Sequence, residues 1–168
     1  MKKAIIFLLS VLLVVCVACG ESKAFPADIK CEQILNAATA VVSYENTTTY
    51  IKDKNDLDTY DMAMWVDGIF EECSEFDLIS DYAICYSTDN TTYEISVLKA
   101  KSKDDVQKLI EVLERRKQTL QGGVKAAYDP DFEKLMQNSK IISEDKFVIL
   151  LITADNTAAL TEIEKLKQ

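Results

Sequence analysis

The C-terminal half of this chain alternates apolar and polar positions with a period of two residues in two neighbouring segments. The apolar members are Tyr82, Ile84 and Tyr86 in the first segment and Tyr93, Ile95 and Val97 in the second. Such alternation predicts strands with one buried face. Because the turn-forming residues 88–91 separate the two segments, a hairpin is predicted over about residues 82–99.

A second hairpin is predicted over about residues 140–154, with its turn at Glu144 and Asp145. Residues 147–152 read Phe-Val-Ile-Leu-Leu-Ile and are apolar at every position. A strand with no polar face is typical of the centre of a sheet that is covered on both sides.

Apolar residues at helical spacing predict four helices, at about 28–42, 103–121, 130–138 and 156–167. Asp28 is the expected N-cap of the first helix, and Asp129 followed by Pro130 is the expected start of the third. On the second helix, Ser102 and Asp105 form a capping box, and Gly122-Gly123 ends the helix. The pairs Asp104–Lys108 and Glu111–Arg115 are spaced for ion pairs on its solvent side, where Arg115 is expected to point.

This order of elements predicts an α+β fold, a two-layer arrangement in which a mainly antiparallel sheet of two hairpins packs with helices. The first helix is a candidate to cover part of the far sheet face. Residues 45–60 are polar and are predicted to be a loop. For residues 61–79, a short helix and irregular packing both remain open.

The first 20 residues have two lysines, a run from Ala4 to Ala18 that is apolar except for Ser10, and then Cys19-Gly20. The run is shorter than the roughly 20 residues that cross a bilayer core. A basic start, a short apolar segment and a small residue before a cysteine predict a lipoprotein signal, although Cys16 stands where leucine is usual. Residues 1–18 would be removed and Cys19 would carry the lipid, which anchors the protein to the extracytoplasmic face of the cell membrane. Cleavage by ordinary signal peptidase after Ala18 is the competing outcome.

The mature chain would consist of the lipidated Cys19 with a short tether over residues 19–27, and a single α+β domain over residues 28–168. The formal net charge is −9 and becomes more negative once Lys2 and Lys3 are removed. This acidity argues against a nucleic-acid partner. The chain has no histidine, which excludes histidine-dependent triads and histidine-ligated zinc.

Three cysteines remain besides Cys16 and Cys19, namely Cys31, Cys73 and Cys85. One disulfide and three buried thiols are both compatible with this odd number in an exported protein. Cys85 lies in a predicted strand and is the first candidate for a buried thiol.

Several short motifs resemble a known family. They are the segment 93–101, Tyr-Glu-Ile-Ser-Val-Leu-Lys-Ala-Lys; an Asp/Lys-rich helix with Arg115-Arg116; Tyr128-Asp129-Pro130; and Thr153-Ala154-Asp155-Asn156 after an apolar strand. Together they resemble the bacterial lipoproteins grouped as domain of unknown function 4358, over about residues 60–165. The resemblance implies a lipoprotein with a compact domain, and it implies no activity, substrate or catalytic residue.

Candidate sites were weighed against ordinary structural roles. Residues 53–58 resemble a calcium loop, but Leu57 and Asp58 stand where an oxygen ligand and glycine are required, so a solvated acidic loop is favoured. A carboxylate pair for hydrolysis could come from the acidic run of Glu71, Glu72, Glu75, Asp77 and Asp81. Any acidic protein contains such pairs of carboxylates by chance. Tyr60, Trp65 and Phe70 could line a ligand surface or fill a small core.

Arg116 falls at the edge of the apolar stripe of the helix at 103–121. We expect it to be partly buried and paired with a carboxylate, with Glu94 on the neighbouring hairpin as the candidate. A structural ion pair is favoured over an anion-binding site.

The sequence therefore favours a membrane-anchored, non-catalytic binding or interaction module at the cell envelope. Its expected partners are membrane lipid, through Cys19, and a protein or envelope component. Capture of a small ligand for an envelope transport system is the alternative, and a carboxylate-based envelope hydrolase is the third reading. No catalytic residue, cofactor or metal site is predicted.

Overall fold

The structure, a computed structural model, describes residues 23–168. The predicted signal segment and Cys19 lie outside the described residues. Within residues 23–168, no helix combines the length and the apolar character that crossing a bilayer requires.

The described part of the chain has five strands, β1 (Thr47–Ile51), β2 (Ile79–Ser87), β3 (Glu94–Ala100), β4 (Lys140–Glu144) and β5 (Phe147–Ile152). They form one sheet in the order β1-β2-β3-β5-β4, with each strand antiparallel to its neighbours. Both predicted hairpins are present, as β2–β3 and β4–β5. The α+β class and the antiparallel sheet are therefore confirmed.

Strand β1 lies within residues 45–60, where the prediction of a loop was wrong. It pairs with β2 from Thr47 opposite Ser87 to Ile51 opposite Ala83. All five of its residues are half-buried, and its sequence does not alternate apolar and polar positions. It lies at the edge of the sheet, where β-branched residues and backbone pairing with β2 are enough to form a strand.

Within residues 23–168, six α-helices surround the sheet. They are α1 (Cys31–Thr39), α2 (Thr59–Asp67), α3 (Val106–Gly122), α4 (Lys125–Tyr128), α5 (Phe132–Asn138) and α6 (Asn156–Glu164). The four predicted helices correspond to α1, α3, α5 and α6. The open segment 61–79 contains most of α2 and a short 3-10 helix at Ser74–Leu78.

Helix α1 begins at Cys31, so the expectation that Asp28 caps it was wrong. The N-cap residue is Lys30, and the Gln33 side chain accepts the Lys30 backbone N–H at 2.9 Å. The Asp81 carboxylate on β2 accepts the Cys31 N–H, also at 2.9 Å. The start of α1 is thus fixed by a long-range contact to the sheet that local sequence does not show.

Helices cover both faces of the sheet, which differs from the two-layer description drawn from the sequence. Helices α1 and α6 pack on one face, against β-strand residues that include Val97 and Ile149. Helices α2 and α3 pack on the other face, against residues that include Leu98 and Leu150. Because the sheet separates these two cores, β5 is buried at all six positions, as its sequence predicted.

The described N-terminal segment belongs to the folded unit. The Ala24 N–H donates to the Gln168 carbonyl at 3.2 Å, and the Gln168 N–H donates to the Ala24 carbonyl at 3.0 Å. The Phe25 ring meets the Phe147 ring edge-on, with 5.2 Å between centroids. The predicted tether over residues 19–27 is therefore docked against the domain from Ala24 onward.

Candidate functional site

The turn between β2 and β3 is held by a network around Asp89. Its carboxylate accepts the Thr91 N–H at 2.9 Å, the Thr91 hydroxyl at 2.6 Å, and the Tyr44 hydroxyl and the Asn46 amide, each at 3.1 Å. The hydrogen bond from the Thr91 hydroxyl is the main reason that the pKa of Asp89 falls to about 2. The network joins the turn to the segment that follows α1.

Lys125 on α4 fixes the same turn from another side. Its ammonium donates to the Ser87 carbonyl at 2.7 Å and to the Thr91 carbonyl at 2.9 Å. Burial, followed by the nearby Arg116 charge, lowers the pKa of Lys125. One carboxylate and one ammonium group therefore hold the turn. This fixes the backbone position from which the next residues, Thr92 and Tyr93, continue.

Asp129 does not cap α5 as expected, since the N-cap residue of that helix is Asp131. Instead the Asp129 carboxylate is 8% exposed and accepts the Thr92 N–H at 2.5 Å and the Asp131 N–H at 3.0 Å. It links the start of α5 to the residue that precedes Tyr93.

These contacts surround a cleft of about 450 Å³ at one end of the sheet. Its walls come from residues 41–44 after α1, 91–93 before β3, 129–138 around α5, and 153–155 after β5. The volume lies within the range of about 300–1,000 Å³ that is common for small-molecule sites. Segments that are far apart in the sequence form the cleft, so no local sequence motif predicts it.

Two residues that line the cleft have buried hydroxyl groups without a hydrogen-bond partner in the described structure. These groups are the side-chain oxygens of Thr92 and Tyr93, and the two residues are 3% and 6% exposed. Burial, followed by the proximity of Cys85, raises the pKa of Tyr93, so its hydroxyl stays protonated at neutral pH. Each unpaired buried hydroxyl costs about 1–3 kcal/mol.

The cleft has more acidic than basic groups. Asp129, Asp131 and Asp155 line it, and Lys134 is the one basic residue among the described residues of the lining. Asp155 also caps α6, because its carboxylate accepts the N–H groups of Thr157 and Ala158 at 3.1 and 2.9 Å.

Arg116 and Glu94, the pair singled out in the sequence, lie together next to this end of the sheet. The Arg116 Nε and Nη2 atoms donate to Glu94 Oε2 at 2.9 and 2.7 Å, and Nη1 donates to the Trp65 carbonyl at 2.8 Å. The Ser96 hydroxyl donates to the other Glu94 oxygen at 2.9 Å. Glu94 is 1% exposed and Arg116 is 8% exposed. Both carboxylate oxygens are thus engaged, as a structural ion pair requires.

A smaller pocket of about 270 Å³ lies over Arg116. The guanidinium faces the rings of Trp65 and Tyr86, at 5.6 and 5.7 Å from their centroids. The Trp65 Nε1 atom is buried without a partner. Because Glu94 neutralises the guanidinium and Asp61 also lines the pocket, this place does not suit an anion.

Arg115 does not point freely into solvent, and that prediction was wrong. Its Nε donates to Asp67 at 3.0 Å, and its Nη1 donates to Glu75 at 2.8 Å. The hydrogen bond from Arg115 is the largest cause that lowers the pKa of Glu75 to about 2. Among the ion pairs of residues 23–168, neither Asp104–Lys108 nor Glu111–Arg115 occurs.

The other acidic candidates have separate structural roles. In the calcium-like segment, Asp56 accepts the Tyr82 hydroxyl at 3.0 Å, and Asp58 caps α2. In the acidic run, Glu72 accepts the Tyr60 hydroxyl at 3.1 Å, while Glu75 pairs with Arg115. No group of three or more candidate metal ligands occurs among residues 23–168. The three cysteines at 31, 73 and 85 are free and buried in the described part of the chain.

The aromatic candidates divide between core and surface. Trp65 is buried, whereas Phe70 is 74% exposed and stacks on Tyr60 with 5.1 Å between ring centroids. Met64 and Ile69 are also exposed. We call Tyr60, Met64, Ile69 and Phe70 the aromatic patch.

Comparison with known proteins gives one family. Residues 75–153 match the family model described as "Domain of unknown function (DUF4358)". No curated protein and no solved structure matches the chain. The match begins at the 3-10 helix before β2 and ends at Thr153, so it covers β2 to β5 together with Glu94, Arg116 and most of the cleft.

Proposed function

We propose that this chain, which carries a DUF4358 domain over residues 75–153, is an exported lipoprotein anchored through Cys19 whose domain is a non-catalytic binding module at the cell envelope. The observation that carries the proposal is the cleft of about 450 Å³, whose walls come from four separate segments of the chain. A concave site of this volume with apolar and polar walls is the usual form of a small-molecule binding site.

The position of the N-terminal segment supports this arrangement. Phe25 contacts Phe147, which lies opposite Lys99 at one end of the β3–β5 ladder. The cleft residues Tyr93 and Thr153 lie just beyond the other end, where Glu94 pairs with Ile152. Six residues of strand separate the two ends by about 20 Å. A lipid on Cys19 would therefore hold one end of the sheet near the membrane and leave the cleft facing away from it.

The cleft favours small-ligand capture, the alternative to a protein partner. The carboxylates at this cleft do not favour hydrolysis. Asp129 and Asp155 accept backbone N–H groups at the starts of helices, which is a structural role. A hydrolase needs one carboxyl that is free to donate a proton.

A protein partner remains a second candidate because of the aromatic patch. The patch is bordered by the carboxylates of Glu71 and Glu72, which are exposed. It therefore suits a partner that presents apolar side chains rimmed by basic residues.

Two measurements test the anchor and the binding role. Cells grown with a clickable fatty acid should label the wild-type protein in the membrane fraction, and Cys19→Ser should abolish both label and membrane association. Cross-linking and mass spectrometry on native membranes should then be run on the wild-type protein and Phe70→Ser. A partner lost in Phe70→Ser supports the protein candidate, whereas no partner with the anchor intact favours the cleft. Lipid label that persists in Cys19→Ser would refute the assigned anchor.

A further inference from the structure

We infer that the free edge of strand β4 pairs with β4 of a second copy of this chain, so that the two sheets join into one continuous sheet. The inference goes beyond the proposed function, because neither the cleft nor the aromatic patch takes part in the pairing. Three observations carry it: the backbone groups that β4 turns outward, the contrast with the other edge of the sheet, and the order of charges along the strand.

Strand β4 is an edge strand in which alternate residues turn their backbone groups away from the sheet. On its other side β5 meets β3, where the Ala100 N–H donates to the Lys146 carbonyl at 2.8 Å. Because hydrogen bonding alternates along antiparallel strands, the even-numbered residues of β5 bond to β3 and its odd-numbered residues bond to β4. Those odd-numbered residues lie opposite three residues of β4, namely Lys140, Ile142 and Glu144. The N–H and C=O groups of Ile141 and Ser143 therefore point outward, and no turn, loop or cap hydrogen bond of residues 23–168 uses them.

The opposite edge of the sheet, strand β1, is closed by a side chain. The Lys52 N–H donates to the Tyr82 carbonyl on β2 at 3.2 Å, so the odd-numbered residues of β1 turn their backbone groups outward. The Asn55 side chain occupies that edge, because its oxygen accepts the Ile51 N–H at 2.8 Å and its amide donates to the Thr49 carbonyl. A side-chain amide thus takes the place of a neighbouring strand. Around β4, no side chain of the described residues bonds to the outward groups in this way, so this edge is open to pairing.

The charges along β4 make the strand complementary to itself. It reads Lys-Ile-Ile-Ser-Glu over residues 140–144, with a basic residue at one end and an acidic residue at the other. When two copies run antiparallel about Ile142, Lys140 of each copy stands opposite Glu144 of the other. Opposite charges at directly facing positions stabilise an antiparallel pair. A lysine by itself would protect an edge from pairing, so the glutamate at the other end is what makes a second copy the fitting occupant.

Both charged groups are available for this contact. Lys140 is exposed, and none of the ion pairs within residues 23–168 includes it. The Lys167 ammonium contacts Oε2 of Glu144, so Oε1 remains for a lysine of the second copy. Ser143 is exposed and Ile141 is half-buried, so the helices on the two faces leave the strand accessible along its edge.

The outward backbone groups fit the same register as the charges. Pairing about Ile142 places Ile141 of each copy opposite Ser143 of the other, and each of these pairs exchanges both backbone hydrogen bonds. Ile142 then faces Ile142 of the other copy at a position without backbone bonds, where Cα atoms are about 4.5 Å apart. The hydrogen bonds and the ion pairs therefore form around one twofold axis, which is the symmetry that soluble homodimers most often have.

A contact of one short strand is small, so it suits a weak pair that membrane attachment strengthens. Interfaces below about 1,200 Å² are typical of transient complexes, and attachment to a common surface raises the effective concentration. Phe25 and Ile142 pack on the same core as α1 and α6, which places the N-terminal segment on that face of the sheet. The twofold axis is perpendicular to the sheet, so both copies present this face on the same side. Both proposed Cys19 anchors could thus enter one bilayer, with the pair resting on this face.

Single cysteines on β4 test the pairing and its register. The full chain is expressed with Ile142→Cys, the cell fraction that holds it is treated with a mild oxidant, and the protein is separated on a non-reducing gel. Ile142→Cys should form a disulfide-linked dimer, because Cα atoms about 4.5 Å apart lie within disulfide range. Ser143→Cys is the matched control, since its Cα atoms would be about 8–9 Å apart in the pair and cannot be bridged. The wild-type chain gives the background from the native cysteines.

Charge variants test the choice of a second copy as the occupant. Lys140→Glu, placed in the Ile142→Cys chain, sets glutamates opposite each other and should lower the dimer yield at least about threefold. Co-expression with a differently tagged Glu144→Lys chain, also carrying Ile142→Cys, should restore dimers between the two kinds of chain, because every glutamate then faces a lysine. Lys140→Glu should keep the wild-type melting temperature, since the exposed Lys140 has no ion pair within residues 23–168 to lose. Glu144→Lys loses its contact with Lys167, so its melting temperature is measured as well.

The outcomes decide the inference separately from the proposed function. A dimer that forms in Ile142→Cys, is weak in Ser143→Cys and falls with Lys140→Glu supports the pairing. No dimer from a folded Ile142→Cys chain overturns it, and so do equal yields from the two cysteine variants, because chance collisions do not depend on register. A disulfide from Ile142→Cys to a different protein assigns the edge to another occupant and also overturns it. None of these results depends on the cleft or on the aromatic patch.

Discussion

The ion pair of Arg116 and Glu94 and the cleft around Thr92 and Tyr93 lie at the same end of the sheet but differ in how their polar groups are paired. Both oxygens of Glu94 accept hydrogen bonds from protein donors. The two cleft hydroxyls have no partner in the described structure. Complete pairing allows a buried polar cluster to stabilise the fold, whereas a buried hydroxyl without a partner adds a desolvation cost that no hydrogen bond offsets.

The largest effect should come from breaking the complete cluster. Glu94→Ala leaves the Arg116 guanidinium buried without its counter-ion, so we expect the free energy of unfolding to fall by about 3–5 kcal/mol in urea titrations. Arg116→Ala should cost a similar amount. A loss of no more than about 0.5 kcal/mol in Arg116→Ala, the usual value for a surface residue, would contradict a structural role.

Hydroxyl deletions provide a direct comparison of the two regions. The Tyr82 hydroxyl accepts the Leu57 N–H at 2.7 Å and donates to Asp56 at 3.0 Å. Tyr82→Phe strands the Leu57 N–H, so stability should fall by about 1–3 kcal/mol. Tyr93→Phe and Thr92→Val remove groups without a protein partner, and their melting temperatures should stay equal or rise. A loss in Tyr93→Phe as large as that in Tyr82→Phe would show that the cleft hydroxyl is structural.

A smaller effect should depend on pH and tests a pair outside both regions. The pKa of Glu75 is lowered from 4.5 to about 2, mainly by its hydrogen bond with Arg115. A lowered folded-state pKa stabilises the protein above the unfolded value, and this contribution is lost as pH falls toward 2. Because both partners are partly exposed, Glu75→Gln should cost about 0.5–1 kcal/mol at pH 6. The difference from wild type should shrink at pH 2, and a constant difference would contradict the ion pair.

The smallest effect on stability should come from the aromatic patch. Phe70 is 74% exposed, so Phe70→Ser should change the free energy of unfolding by less than about 0.5 kcal/mol. Thermal unfolding of the variant and the wild-type protein checks this. A larger loss would mean that the stacking on Tyr60 stabilises the fold, and the loss of a cross-linked partner in this variant would then be ambiguous.

Structural features that follow from the local pattern of apolar and polar residues were predictable. The hairpins were predicted from the alternation around Tyr82–Tyr86 and from the fully apolar segment 147–152. The position of Arg116 at the edge of an apolar stripe led to the prediction of its ion pair with Glu94. The family match over residues 75–153 also agrees with the resemblance seen in the sequence.

Features that depend on distant contacts were not predictable. Strand β1 is defined by its pairing with β2. Arg115 forms its ion pairs with Asp67 and Glu75, which lie 48 and 40 positions away in the sequence. The hydroxyls of Thr92 and Tyr93 stand out because they have no hydrogen-bond partner in the described structure. A threonine beside a tyrosine gives no local signal of that kind.

The pairing of Ala24 with Gln168 has a practical consequence for labelling the protein. With the anchor proposed at Cys19, a fluorescent protein fused after Gln168 would emerge on the same side of the domain as the anchored segment, where its bulk would disturb the attachment. A small dye at the opposite end of the sheet, for example on a cysteine introduced at Asn90, would lie away from that segment and close to the cleft. The thiols of Cys31, Cys73 and Cys85 are buried, so such a dye would react at the introduced site in preference to them.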